Sequence, residues 1–240
     1  MLAGVAAITR ALQGEGNLRA AATFVFAAMI LDGLDGAVAR LLKGTSKFGM
    51  ELDSFSDAMA LGAAPAVIVY KLTCDIAAKS GPAWLPVAGA VLCAMIATAG
   101  VCRLARFQIT NSPHLDKGAY QGLAIGGPAG WVALFAFCHA AGVTLPGTNI
   151  PFCVDRGPLA ALFWIVLVAL PFLEVSSIPY PKPTKNFWKF GLFALCLLLT
   201  ITWPAARSVT APLLLAYGLW YAIGAPIARR IQQPQRAPAT

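Results

Sequence analysis

Charged side chains are scarce in this sequence. They make up 12% of its 240 residues, whereas an ordinary soluble domain carries about 25%. Hydrophobic residues reach 58%, and they gather into successive stretches of the roughly 20 residues that a helix needs to cross the hydrocarbon core of a membrane. This composition excludes a typical water-soluble fold. We expect one helical membrane domain.

Paired cysteines and clustered histidines are also missing. The six cysteines form no CxxC pair, and most lie in apolar segments: Cys74, Cys93, Cys102, Cys138, Cys153 and Cys196. This spacing disfavours a zinc site or a disulfide framework and favours buried, unreactive thiols. The two histidines, His114 and His139, have no partner at metal-ligand spacing in the sequence. We interpret both as incidental.

Basic residues are in excess, and the net charge is +8. They lie between the apolar segments and form no continuous basic face, so we exclude nucleic acid as a partner and interpret them as signals of membrane orientation. Alternating the loops places 12 of the 18 Lys and Arg residues on one side and 6 on the other. The richer side, which holds Arg40 and Lys43, is predicted to face the cytoplasm. We expect the inner or plasma membrane of a prokaryote.

Apolar runs and helix breakers predict eight helices, near residues 2–13, 18–42, 48–72, 84–110, 120–142, 158–175, 187–204 and 208–230. The first is too short to cross a bilayer of about 30 Å at 1.5 Å per residue. It also lacks the basic start and the cleavage site of a signal peptide, so we interpret it as a truncated or partial helix. Residues 1–230 are expected to form a single transmembrane domain, and residues 231–240 a short disordered tail.

The few acidic residues are concentrated in one predicted helical hairpin. Asp32 and Asp35 are spaced i, i+3 near the end of the second helix, and Asp53 and Asp57 are spaced i, i+4 on the next, so each pair shares a face. A short loop allows the two faces to meet. Four uncompensated carboxylates would repel one another and are costly in a membrane. We infer one or two bound divalent cations, and oxygen ligands without His or Cys suit Mg²⁺, Mn²⁺ or Ca²⁺.

Small residues and an arginine accompany these acids. Gly36 and Ala39 follow on the second helix, and Gly49 lies near the start of the third, where small side chains leave room for a ligand. Arg40 has the forked geometry that matches phosphate oxygens. Each residue taken alone is explained by helix capping or helix packing. Together they favour metal-assisted chemistry on the diphosphate of a lipid head group.

The full spacing resembles the defining motif of a known family. The pattern D-x2-D-G-x2-A-R-x8-G-x3-D-x3-D is similar to that of the CDP-alcohol phosphotransferases, and it is formed here by Asp32, Asp35, Gly36, Ala39, Arg40, Gly49, Asp53 and Asp57. The resemblance implies an all-α polytopic membrane bundle with a six-helix core, usually homodimeric, followed here by two C-terminal helices.

The same resemblance implies roles for the motif residues. Two divalent metal ions, Mg²⁺ or Mn²⁺, would be bound by Asp32, Asp35, Asp53 and Asp57, and Asp57 would also act as the general base. The pocket for the CDP group would be shaped by Gly36, Ala39, Arg40 and Gly49. An alcohol would attack the β-phosphorus, giving a phosphodiester lipid and CMP.

Three further segments narrow the choice of acceptor alcohol. LDSFSDAMALGAAPA (52–66), CRLARFQIT (102–110) and VSSIPYPKP (175–183) are similar to stretches typical of membrane-embedded phosphatidylserine synthases. This resemblance implies CDP-diacylglycerol and serine as substrates, in contact with the lipid bilayer.

Four residues outside the motif are candidates to bind these substrates. Arg103 and Arg106 are expected near the cytoplasmic end of the fourth helix, where a guanidinium can bind a carboxylate or a lipid phosphate; the alternative is a snorkelling membrane anchor. Ser46 and Lys47, in the hairpin loop, can touch the head group, and a solvated loop is their alternative. We interpret the turn-rich stretch 176–183 as a structural loop.

Three alternatives stay open. The first is the same chemistry with another substrate: glycerol phosphate, inositol phosphate or choline as the acceptor, or an ether lipid as the donor. The motif itself does not specify which substrates are used. A cation transporter also uses intramembrane carboxylates, but here the acids gather at one end of a single hairpin instead of following a path across the membrane. An inactive relative is disfavoured because every motif carboxylate is present.

Overall fold

The computed structural model describes residues 1–42, 47–79, 81–110, 119–181 and 187–232, and these ranges are almost entirely helical. The α-helices are α1 (Leu2–Leu12), α2 (Leu18–Leu42), α3 (Lys47–Asp57), α4 (Ala64–Lys79), α5 (Leu85–Thr110), α6 (Gly126–Ala141), α7 (Pro158–Val175), α8 (Phe187–Thr202), α9 (Arg207–Leu219) and α10 (Ala225–Gln232). Short 3₁₀ turns lie at Glu15–Asn17 and Pro204–Ala206. The prediction of an all-α helical bundle is confirmed.

Within the described ranges, four helical segments are long and apolar enough to cross a membrane: Phe48–Lys79, Leu85–Ile109, Pro158–Val175 and Pro204–Ala228. The first and last of these join α3 to α4 and α9 to α10, so that the ten α-helices correspond to the eight that the sequence predicts. These segments make the chain a membrane protein. Its first helix, α1, has only 11 residues and is short, as the sequence predicts. Of the predicted disordered tail, residues 233–240 lie outside the described residues.

Two proline residues explain why two of the long helices widen locally. A π-helical segment, Ala58–Ala63, separates α3 from α4, and another, Trp220–Gly224, separates α9 from α10. Each ends two residues before a proline, Pro65 or Pro226. Proline lacks the N–H of the normal ladder, and its ring clashes with the carbonyl four residues earlier, so the turn before it opens. The first of these segments follows directly after Asp57.

A short two-stranded sheet joins one segment that was predicted as the start of a helix and another that was predicted as a loop. Strand β1 (Ala119–Gln121) pairs in antiparallel fashion with β2 (Pro179–Pro181). The predicted helix 120–142 is therefore wrong at its start, because α6 begins at Gly126. Gly122 follows β1 with a φ of 78°, a backbone conformation that favours glycine and interrupts a helix. The predicted loop 176–183 contains β2.

The core surrounds α6, which is the most deeply buried helix of the described bundle. Its Phe135 contacts Trp131, Phe152 and Phe163, with ring centroids 4.9–5.7 Å apart. Phe163 lies on α7 and Phe152 in the loop before it. Aromatic burial on this scale dominates the packing energy of a core, and it fixes α6 between the helices that carry the acidic motif and the later helices.

The segment 142–157 folds back onto the end of α6. Gly142 ends the helix with a φ of 63°, and the N–H of Phe152 donates to Val143 O at 2.8 Å. This brings Cys153 and Asp155 to His139, with one potential ligand atom of each within 4.8 Å of the others. His139 has no metal-ligand partner at the usual spacing in the sequence, but loop closure brings two such residues to it from a distant part of the chain; that His139 is incidental stays a prediction. His114 lies outside the described residues.

Candidate active site

Three of the four predicted acids converge. A carboxylate oxygen from each of Asp32, Asp53 and Asp57 lies within 4.8 Å of the other two. Asp32 is presented by α2, and the other two lie four residues apart on one face of α3. Asp32 and Asp57 are half-buried, whereas Asp53 is exposed. The helical periodicity thus places the side chains of the hairpin on facing surfaces, as the sequence indicates.

Asp35 lies one turn further along α2, on its exposed side, and is close enough to Asp32 and Asp53 to interact with both electrostatically. The backbone of Gly36, Ala39 and Arg40 continues α2, and Gly49 lies on α3. Their predicted contacts with a CDP group stay predictions.

The hairpin loop, residues 43–46, lies outside the described residues. Lys47 is the first residue of α3, and Ser46 lies outside the described residues.

Arg103 is a cation that faces the acids. This residue of α5 is 9% exposed, lines the same cavity as Asp32 and Asp57, and interacts electrostatically with both. Behind it lies Glu174, 1% exposed, which also interacts with Arg103 and whose carboxylate oxygens have no hydrogen-bond partner among the described residues. A lone acid in an apolar helix is a signal of function in a membrane, and our sequence analysis missed this one.

Arg106 has a different position. Its Nη1 donates hydrogen bonds to Val175 O at 2.7 Å and to Ser176 O at 3.3 Å, and it is absent from the cavity lining. These carbonyls end α7 and have no partner within that helix. Arg106 therefore anchors α7 to α5. That it also binds a substrate stays a prediction.

The acids open into a cavity of about 350 Å³. Its polar end holds the three aspartates, Ser54 and Arg103, and its walls are apolar and aromatic. The wall residues come from α2, α5, α6, α7, α8 and α9 and from the π-helical segment after α3, as in Phe26, Leu104, Trp131, Leu170, Phe193, Tyr217 and Leu61. The cavity is therefore amphipathic, with an acidic, partly exposed end and a long hydrophobic interior.

Glycines keep this cavity open. Gly126, Gly127 and Gly130 line it at the start of α6, and a Cβ at Gly130 would lie 3.1 Å from Met29 Cε. Gly33 faces Phe190 of α8 so closely that a Cβ there would overlap the ring. The contribution of α8 and α9 to the cavity was not predicted. The GGPAG run at the start of α6 was the available signal, because small residues permit close approach in membranes.

The aspartates fit a hard divalent cation. Two oxygens bound to one Mg²⁺ lie at most about 4.2 Å apart, since each bond is about 2.1 Å long, and the observed separations of up to 4.8 Å need only small side-chain rotations to reach that value. Counting only the side chains that the structure describes, the three acids outnumber the facing cation, Arg103, and leave an excess of negative charge. This cluster contains only oxygen ligands, as Mg²⁺ and Mn²⁺ prefer.

Comparison with known proteins decides the family. The sequence profile of the CDP-alcohol phosphatidyltransferases matches residues 1–175. The chain belongs to this family. Members of the family generally depend on divalent metals, in agreement with the aspartate cluster, and the matched region contains every acidic residue of the site.

Three similar proteins share the name CDP-diacylglycerol–serine O-phosphatidyltransferase. The protein of Helicobacter pylori is 37% identical over 199 residues, covering 81% of this chain and 76% of the relative. The protein of Methanocaldococcus jannaschii is 34% identical, covering 73% and 71%. The protein of Mycobacterium tuberculosis is 28% identical, covering 90% and 69%.

Proposed function

We propose that this family member transfers the phosphatidyl group of CDP-diacylglycerol to the hydroxyl of serine, producing phosphatidylserine and CMP. The observation that carries the proposal is the amphipathic cavity. It joins an acidic end, where the carboxylates of Asp32, Asp53 and Asp57 meet, to an apolar interior suited to a lipid chain. The names of the similar proteins support the choice of serine.

The acidic end is the place for the diphosphate. Asp32, Asp35, Asp53 and Asp57 would hold two divalent ions, Mg²⁺ or Mn²⁺, and these would supply positive charge for the diphosphate and the leaving CMP. Gly36, Ala39, Arg40 and Gly49, with Ser46 of the hairpin loop and Lys47 at the start of α3, form the surroundings of the nucleotide. The two acyl chains extend along the apolar walls or into the bilayer.

Asp57 is the general base. It accepts the proton of the serine hydroxyl as the serine oxygen forms its bond to the β-phosphorus. The bond from that phosphorus to the bridging oxygen breaks, and CMP leaves with the electron pair. The half-buried position of Asp57 beside Asp32 and Arg103 keeps it at the junction between the diphosphate end and the acceptor.

Arg103 recognises the acceptor. Its guanidinium lies at the polar end of the cavity within electrostatic range of Asp57, so a serine whose carboxylate pairs with Arg103 presents its hydroxyl toward the base. A guanidinium binds a carboxylate through two parallel hydrogen bonds. Choline lacks this carboxylate, and therefore gains nothing from Arg103.

The site faces the cytoplasm of a prokaryotic inner or plasma membrane, as the distribution of Lys and Arg suggests. A fluorescent protein that matures only in the cytoplasm, fused after Thr240, is expected to fluoresce. A fusion that is stably inserted but not fluorescent would show that the orientation is opposite to the one proposed. The homodimer that the family resemblance implies stays a prediction, which the mass of the detergent-solubilised protein tests.

The test of the function is an assay of the full chain in liposomes. With CDP-diacylglycerol, Mn²⁺ or Mg²⁺ and radiolabelled serine, the expected products are labelled lipid and an equal amount of CMP. Labelled lipid from glycerol phosphate, inositol phosphate or choline, with none from serine, would reject serine as the acceptor. Cation flux without CMP release would favour a transporter instead.

A further inference from the structure

A second group of metal-ligand side chains lies at the other end of α6. His139, Cys153 and Asp155 each place one ligand atom within 4.8 Å of the other two. Gly126, at the start of α6, lines the cavity, and His139 lies about 20 Å further along the helix at 1.5 Å per residue. This group is therefore separate from the aspartate cluster and lies toward the opposite face of the bundle.

The loop that carries two of these ligands is firmly held. Leu145 N donates to Ile150 O at 2.9 Å, Thr144 pairs with Pro151 as an antiparallel bridge, and Trp164 Nε1 donates to Val154 O at 2.8 Å. Val154 is buried in the core between the two ligands. Cys153 and Asp155 are thus fixed by the core on either side of Val154, which reduces the entropy lost when a metal binds.

Asp155 has an unused acceptor within this group. Its Oδ1 is buried and has no hydrogen-bond partner among the described residues. Its Oδ2 accepts from Arg156 at 3.3 and 3.4 Å, but the Arg156 side chain is 82% exposed, and such surface pairs contribute little. A buried acceptor without a donor is costly, and a cation would relieve that cost.

We propose that His139, Cys153 and Asp155 bind one Zn²⁺ ion that fastens the 142–157 loop to the end of α6. Nitrogen, sulfur and oxygen ligands together suit zinc, and three protein ligands leave a fourth position for water. Mg²⁺ and Ca²⁺ prefer oxygen ligands alone. With zinc bonds of about 2.0–2.3 Å, tetrahedral ligands stand roughly 3.3–3.8 Å apart, so ligand atoms that lie within 4.8 Å of one another need to approach by at most about 1.5 Å.

The thiol must lose its proton for this bond to form. Zinc replaces that proton on binding.

The proposal is tested by cobalt substitution of the purified full-length protein in detergent. After treatment with a chelator and desalting, Co²⁺ is expected to give the charge-transfer absorption of a cobalt–thiolate bond at one Co²⁺ per chain, and one equivalent of Zn²⁺ is expected to remove it. Zinc is also expected to raise the Tm by several degrees. Absence of the thiolate band, or a band that zinc does not remove, would overturn the proposal.

Matched variants separate this site from other metal-binding residues. Cys153→Ser is expected to abolish the thiolate band, and His139→Gln to weaken Co²⁺ binding at least about 10-fold. Cys93→Ser, which removes another half-buried thiol, and Asp57→Asn, which changes only the aspartate cluster, are expected to keep the band. A band that survives Cys153→Ser, or one lost in Cys93→Ser, would contradict the assignment. His139→Gln provides the test if Cys153→Ser fails to fold.

Discussion

Asp32 on α2 and Asp57 on α3 bring carboxylate oxygens within 4.8 Å of each other, although 24 residues separate them in the sequence. Two like charges at this distance repel, and Asp53 adds a third. Among the described side chains, Arg103 is outnumbered by these three acids. The hairpin therefore has the charge of a cation-binding site, and it lies at the polar end of the apolar cavity, where our proposal puts the diphosphate.

Asp53→Asn is expected to raise the metal concentration required for activity. Asp53 is the exposed member of the cluster, so its replacement removes a ligand with little disturbance of packing. Changes near metal ligands typically weaken binding about 10–100-fold, and we expect at least a 10-fold rise in the Mn²⁺ concentration that gives half-maximal CMP release. Glu51→Gln, an exposed acid on the same helix, is the control. An unchanged metal requirement in Asp53→Asn would argue against its ligand role.

Arg103→Gln is expected to raise the KM for serine about 10–100-fold, as the loss of a charge-assisted hydrogen bond of about 1.5–3 kcal/mol predicts. The KM for CDP-diacylglycerol is expected to change much less. Steady-state kinetics with each substrate varied in turn measures both. If the two KM values rise equally, Arg103 does not recognise the acceptor.

Arg106→Gln provides the contrasting result on the same helix. Because Arg106 donates to Val175 O and Ser176 O at the end of α7, its loss is expected to lower stability by about 1 kcal/mol and to leave the KM for serine unchanged. Thermal unfolding in detergent and kinetics at low temperature measure these effects. A raised KM for serine without loss of stability would instead place Arg106 at the substrate.

Gly122→Ala is expected to destabilise the protein more than Gly147→Ala. Both glycines have a positive φ, of 78° and 73°, so each alanine is strained by about 1–2 kcal/mol. At Gly122 the new Cβ would also overlap the carbonyl oxygen of Glu174, whereas at Gly147 no atom lies within 4 Å. The difference in Tm between the two variants measures the overlap. Equal losses would mean that the β1 turn moves freely away from α7.

The helices and the convergence of the acids were predictable because both follow from periodicity. Apolar runs define the helices, and the i, i+4 spacing of Asp53 and Asp57 puts both on the face that meets Asp32. Asp35 departs from this pattern, because it lies on the exposed side of α2 and outside the cluster of three. The strands β1 and β2 were not predictable, since three residues are too few to show an alternating pattern. Their pairing also depends on Tyr180, which is fully buried and donates to Ala222 O at 2.9 Å.

The residues that line the cavity walls could not be predicted from the sequence, for a different reason. Apolar helices look alike in composition, so nothing in α8 or α9 marks Phe193 or Tyr217 as lining residues. Which apolar face meets the motif hairpin depends on close contacts such as that of Gly33 with Phe190. The cluster of His139, Cys153 and Asp155 was likewise hidden, because its spacing in the sequence matches no metal motif.

The most direct test of the account is CMP release from CDP-diacylglycerol and serine by Asp57→Asn, measured beside Glu51→Gln in liposomes with equal amounts of inserted protein. A general base contributes about 10²–10⁴-fold to a rate. We therefore expect Asp57→Asn to lose at least about 100-fold in turnover while Glu51→Gln keeps nearly all of it. Near-normal turnover in Asp57→Asn would contradict the assignment of this aspartate cluster as the catalytic site.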